Sequence, residues 1–260
     1  MSAFLPPSFR ALRRYEQTIF FHLAATCGDL EGKVVIDIAG LPGALTAVLF
    51  DAGVAEVHGV NLWPVKGNRV TPGYFHHVCD ARELSSDVPS ADAAIAVCAL
   101  EHLPDLTKCV NSAVGKLKPG GAIVMHGGPL WPCQLGHHLN FESGPKTYSF
   151  GTDSDPFQRW GHLLFSEPEM SAYLKSSGVP VTDADQMCAK VYRGPHINRL
   201  SVSDIKAAFL SSTAEVIGFT EYRWGWLDPA ASSRIRAKGH QFSDADLGTG
   251  EIVAVARRRG

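Results

Sequence analysis

Val34-Val35-Ile36-Asp37-Ile38-Ala39-Gly40-Leu41-Pro42-Gly43 is the stretch that decides how this chain is read. Its first half is β-branched and apolar around one acid, which predicts a strand over Lys33 to Ile38. Its second half is small residues, which let a backbone turn sharply and approach a ligand. A helical run from Ala44 to Ala52 follows, and its first N–H groups have no partner within the helix.

Outward from that turn the same rhythm repeats. Upstream, Phe9 to Cys27 has the apolar spacing of an amphipathic helix, with Ser8 as its expected cap. Downstream, the helix stops at Gly53, and strands are expected over Glu56 to Val60, Phe75 to Cys79 and Ala93 to Cys98. A helix over Leu106 to Leu117 leads through the turn Lys118-Pro119-Gly120-Gly121 into a fifth strand, Ala122 to His126. From Gly127 to Leu200 the rhythm breaks into a stretch rich in Gly, Pro, His and Trp, with one clear helix at Glu167 to Ser176. A helix over Ser203 to Ser211 and strands over Glu215 to Trp224 and Glu251 to Ala256 close the chain.

Strands alternating with helices predict an α/β fold: a Rossmann-like, seven-stranded, mostly parallel sheet with helices on both faces. The expected layout is an N-terminal helical segment over residues 1–30, a core over 31–126 and 201–260, and a lid insertion over 127–200, between strand 5 and the following helix. The chain has 260 residues, 45% of them hydrophobic, enough for one elaborated domain. A net charge of −2 without a basic stripe argues against a nucleic-acid binder and for a small-molecule substrate. No window is apolar enough to span a membrane and no leader is evident, so a cytoplasmic protein is expected. Six cysteines without a Cys-x-x-Cys pair suit reduced thiols, and no metal ligand spacing is diagnostic. The N-terminal helix and the insertion each offer a face for a possible homodimer.

In an open parallel sheet, ligands sit beyond the carboxyl ends of the strands. The segments there, Val34 to Gly43, Cys79-Asp80-Ala81, Ala94 to Leu103 and Leu117 to Gly121, resemble, in order, the motifs of class I S-adenosylmethionine-dependent methyltransferases. The resemblance covers about residues 33 to 126 and implies S-adenosylmethionine as cofactor. It implies cofactor contacts at Asp37, Ala39, Gly40, Gly43, Asn61, Leu62, Asp80, Ala81, Cys98 and Leu100. Leu41 stands where that family usually has glycine, and Asn61 where it has an acid. A nicotinamide-binding turn begins similarly, but Asp37 inside the strand and the Cys79-Asp80-Ala81 loop favour the methyltransferase.

Methyl transfer needs an aligned acceptor and, for a hydroxyl, removal of its proton, a task suited to histidine. Three histidines are candidates: His102 after the fourth strand, and His137 and His138 at the start of the insertion. Each has a plainer reading as a packed or loop-holding residue. Trp131, Phe141, Tyr148, Trp160 and Phe165 are either an aromatic acceptor pocket or the insertion's own small core. The expected activity is O-methylation of a small metabolite, such as a sugar or another natural product. The alternatives are other chemistry on the same fold, such as a rearrangement, or a non-catalytic partner subunit.

Overall fold

The apolar run at the start of the quoted stretch is paired on both sides. Strand β1 (Val34–Ile38) lies between β2 (Glu56–Asn61) and β4 (Ala91–Ala96), parallel to each. This computed structural model describes residues 5–65 and 71–260. Beyond β2 lies β3 (Tyr74–Val78), and beyond β4 lies β5 (Leu117–Gly127), again parallel. With β8 (Ala214–Arg223) and β9 (Thr249–Arg258), the seven-stranded order is β3-β2-β1-β4-β5-β9-β8. Nearly every residue of β1 and β4 is buried, and since successive side chains face opposite sides, the sheet is covered on both.

Register places the chemistry. Ile38 is opposite Val60 and Ala96, and Asn61 is opposite Val78, so these strands end level with one another. The loops after β1, β2, β3 and β4 therefore share one edge, the carboxyl edge of the sheet.

Helix α1 (Arg14–Cys27) packs on β4 and β5 through Ile19, Phe20 and Leu23. It begins five residues later than the sequence predicts. Pro7 opens a 3-10 turn over Pro7–Ala11, Leu12 and Arg13 are extended, and the helix starts where the Arg13 N–H donates to Glu16 Oε2 at 2.8 Å. Ser8 caps nothing; its hydroxyl binds Asp51. Helices α2 (Ala44–Asp51) and α3 (Leu106–Lys116) fall where expected, with Gly53 at φ 89° after α2. Lys118 to Gly121 is a turn inside β5 rather than before it: Ala91 faces Leu117 but Ala93 faces Ala122, so these four residues bulge out, the first three of them exposed. Ser201 caps α7 (Val202–Leu210), its hydroxyl accepting from the Asp204 N–H at 3.0 Å.

The chain forms two compact units. The first runs to Gly127 and adds Ile205–Thr220 and Val253–Gly260; the second comprises Gly128–Asp204 and Glu221–Ile252. The second unit holds a hairpin of β6 (Asn140–Ser143) and β7 (Lys146–Ser149), and helices α4 (Gly161–Leu164), α5 (Glu167–Ser176), α6 (Val181–Arg193), α8 (Pro229–Ala237) and α9 (Asp244–Gly248). Only α5 was expected. Trp131, Phe157, Trp160, Leu163 and Met170 form this unit's core, with Phe141, Tyr148 and Phe165 packed against it. The aromatic residues thus belong to the core of this second unit, which Ala231, Ile235 and Leu247, beyond the expected insertion, also build. Among the described residues, no helix is long and apolar enough to cross a membrane.

Candidate active site

At the end of β1 the side chain of Asp37 turns inward and is almost fully buried. Its Oδ1 has no hydrogen-bond partner. Loss of solvation pushes this carboxyl up to about 7. Gly40 packs directly against the carboxyl: a Cβ there would lie 2.0 Å from Asp37 Cγ, so no larger residue fits beneath this acid. Ala39, at φ 59°, makes the turn that brings Gly40 back. These residues, with Leu41, Gly43, Leu45, Thr46 and Val97, line a hollow of about 190 Å³, and Glu16 of α1 lines it too. The hollow opens at the N-terminus of α2, where backbone N–H groups concentrate partial positive charge.

Next along the edge, the Asn61 amide donates from Nδ2 to the Ala39 carbonyl at 3.2 Å, and its Oδ1 accepts from the Trp63 N–H at 3.4 Å. It ties the loop after β1 to the loop after β2. An acid at this position could not donate, which gives a physical reason for the amide. Leu62 and Trp63 are exposed. After β3, both oxygens of Asp80 accept from Arg82, with Nη2 to Oδ2 at 2.6 Å. Those hydrogen bonds hold Asp80 below its ordinary carboxylate value. Ala81 follows in the same loop.

After β4, Cys98 adopts φ 49°, and its N–H donates to His126 Nδ1 at 3.3 Å. The Ala99 N–H donates to the His126 carbonyl at 3.1 Å, so the ends of β4 and β5 are joined. Tyr15 of α1 stacks on the His126 ring at 5.6 Å, and Arg13 donates to the Tyr15 hydroxyl at 2.6 Å. Leu100 and Glu101 are buried, whereas the His102 side chain is 41% exposed and lies 3.7 Å from Glu101 Oε1.

The other two candidate histidines lie inside the second unit. His137 is fully buried; it stacks on Phe157 at 5.1 Å, and its Nδ1 accepts from the Leu139 N–H at 3.1 Å. Its Nε2 is 3.3 Å from Asp155. Burial works to raise the Asp155 value, but His137 and the Gly151 and Phe157 N–H groups outweigh it and hold the acid ionised. His138, at φ 48°, stacks on Phe150 and places Nε2 2.5 Å from the Pro129 carbonyl. A carbonyl only accepts, so that nitrogen carries the hydrogen and Nδ1 keeps the lone pair.

Sequence reasoning missed Glu16 and Tyr74. Glu16 was legible only as the third residue of a capping box. Tyr74 is signalled by a glycine within β2, since a Cβ on Gly59 would lie 1.8 Å from the Tyr74 hydroxyl. That hydroxyl is buried without a hydrogen-bond partner, and its ionisation is resisted first by burial and then by the charge of Asp37.

Residues 36–125 match the family model described as "Methyltransferase domain". No curated protein sequence matches the chain. Among solved structures, the chain is similar to an S-adenosylmethionine dependent methyltransferase from Mesorhizobium loti, at 15% identity and TM-score 0.52, over 91% of this chain and 95% of that one. It is also similar to geranyl diphosphate C-methyltransferase from Streptomyces coelicolor, at 12% identity and TM-score 0.52, over 93% and 76% of the two chains. The (4+2)-cyclase SpnF shares the fold at 12% identity and TM-score 0.52, over 94% and 80%. Residues 36–125 thus match a methyltransferase domain, and the strand order is the fold that the chain shares with the S-adenosylmethionine dependent methyltransferase named above.

Proposed function

We propose that this protein transfers a methyl group from S-adenosylmethionine to an oxygen of a small-molecule acceptor, such as a sugar or another natural product. One observation carries the reading: a nearly buried carboxylate, Asp37, faces a hollow with one oxygen unpaired by the protein. A buried charge without a partner is costly, and a cationic ligand removes that cost. The cofactor carries an ammonium and a sulfonium, so the donor set fits it. When bound, it supplies an electrophilic methyl group. Asp37 would take its cationic end, while Ala39, Gly40 and Gly43 let the backbone come close. Asn61, Leu62, Asp80, Ala81, Cys98 and Leu100 would complete the cofactor contacts along the strand ends.

For the acceptor's proton, His102 is the base we favour, because its imidazole is open to solvent and stands beside a buried acid. His138 is second, with Nδ1 as the nitrogen that would take the proton, and His137 serves to hold the loop. The experiment is calorimetry with S-adenosylmethionine and S-adenosylhomocysteine, followed by mass spectrometry on candidate acceptors. Micromolar binding of both, about −8 kcal/mol, and a product heavier by one methylene are expected. Failure of both to bind would sink the reading. Good binding with products of unchanged mass would move the protein to other chemistry on this fold, as in the cyclase named above.

A further inference from the structure

Three side chains on β2 and β3, none of them used above, form a chain of hydrogen bonds. Glu56 Oε2 lies 3.0 Å from His58 Nε2, and His58 Nδ1 lies 3.0 Å from His77 Nε2. The register brings this about: His58 is opposite Phe75, so His77, two residues on, is its diagonal neighbour on the same face. A carboxylate only accepts, so His58 Nε2 carries its hydrogen and Nδ1 presents a lone pair. His77 Nε2 must then donate to it. His58 is buried, and its ring is fixed by stacking on Phe75 at 4.9 Å and on His77 at 5.2 Å, while His77 is half-buried.

We propose that His58 Nδ1 and His77 Nε2 are a two-histidine site for a divalent transition metal of the copper, nickel or zinc class. Two nitrogens 3.0 Å apart suit adjacent ligands on one ion, since metal–imidazole bonds of about 2.0 to 2.1 Å at a right angle span nearly that distance. Glu56, on the far nitrogen of His58, is the carboxylate partner that ligating histidines characteristically have; it fixes the ring and raises its basicity. Metal entry moves the His77 proton from Nε2 to Nδ1, so two neutral imidazoles bind and no proton is released. Water completes the coordination from the open side of His77. A bound ion would clamp β2 to β3.

The test is titration of the full, untagged, metal-free chain with Cu²⁺, read by calorimetry and electron paramagnetic resonance. One equivalent should bind at micromolar order with a two-nitrogen signature. His77→Gln should weaken it at least tenfold and drop one nitrogen, and Glu56→Gln should weaken it about tenfold while keeping both. His240→Gln should change nothing. Because His58→Gln can disturb the sheet, its circular dichroism is compared first, and His77→Gln, less buried, decides the matter. Zn²⁺ should also raise the Tm of the wild type and not that of His77→Gln. Copper binding that survives His77→Gln, or no binding at millimolar copper, overturns the proposal.

Discussion

On the proposed function, the burial that fits Asp37 to a cationic ligand comes at a cost to folding. The folded Asp37 value of about 7 lies above the unfolded carboxylate value of about 3.9. Between those values the folded state binds more protons than the unfolded chain, so stability falls as pH rises through this window. Asp37→Asn should therefore make the protein more stable at pH 8, by about 2 to 4 kcal/mol in urea unfolding. The same substitution should weaken S-adenosylmethionine at least tenfold by calorimetry, the opposition expected where an acid is kept for binding. Cofactor affinity in the wild type should drop as pH falls below 7, because a protonated Asp37 offers no charge. A flat pH profile would show that this carboxylate does not meet the cofactor's cationic end. Gly40→Ala places a Cβ into the Asp37 carboxyl and should abolish cofactor binding while leaving the circular dichroism spectrum unchanged. His102→Ala should lower kcat about a hundredfold without altering cofactor affinity, as loss of a general base does.

At the scale of elements, ends and crossings matter more than middles. The start of α7 rests on a reciprocal pair: the Ser201 N–H and hydroxyl both donate to Asp204 Oδ2, at 2.8 and 2.7 Å, and the Asp204 N–H donates back. Ser201→Ala should cost about 1 kcal/mol, measured as a shift of the urea midpoint at unchanged slope. Where β2 and β3 run side by side, Gly59 admits Tyr74, and no methyl group fits between them. The middles of the strands were legible because a buried parallel strand must be apolar throughout, as in Ala93 to Ala96. Helix α6 was also legible in principle: Ala184, Met187, Cys188 and Val191 recur at helical spacing and are all buried. The surrounding Pro and Gly obscured that spacing. The start of α1 was misplaced because Ser8 reads as a cap, whereas its hydroxyl binds Asp51, 43 residues away, and the helix begins at the Arg13–Glu16 contact instead.

At the scale of the molecule, the two units carry buried groups of opposite temper. His162 in the second unit is fully enclosed; burial, then His137, push its value well below the ordinary histidine range. A base whose folded value is depressed stabilises above the unfolded value of about 6.5 and loses that contribution as pH falls. Acidification from pH 7 to 5 should thus loosen the second unit while relieving Asp37 in the first. Hydrogen exchange resolved by segment would register this, with faster exchange over 157–165 and slower exchange over 34–40 at pH 5; equal changes in both would refute it. The sequence by itself determined the alternation of strands and helices, the turn at Ala39 to Gly43 and the order of the motifs. Those features follow from local pattern, which each segment carries within itself. Only the tertiary structure decided which polar groups find partners. It left Asp37 facing a hollow with Glu16 at its rim, gave His137 to Asp155, laid Tyr74 across Gly59 and joined His58 to His77. Such pairings depend on register and on segments far apart in the chain, and no local pattern encodes them.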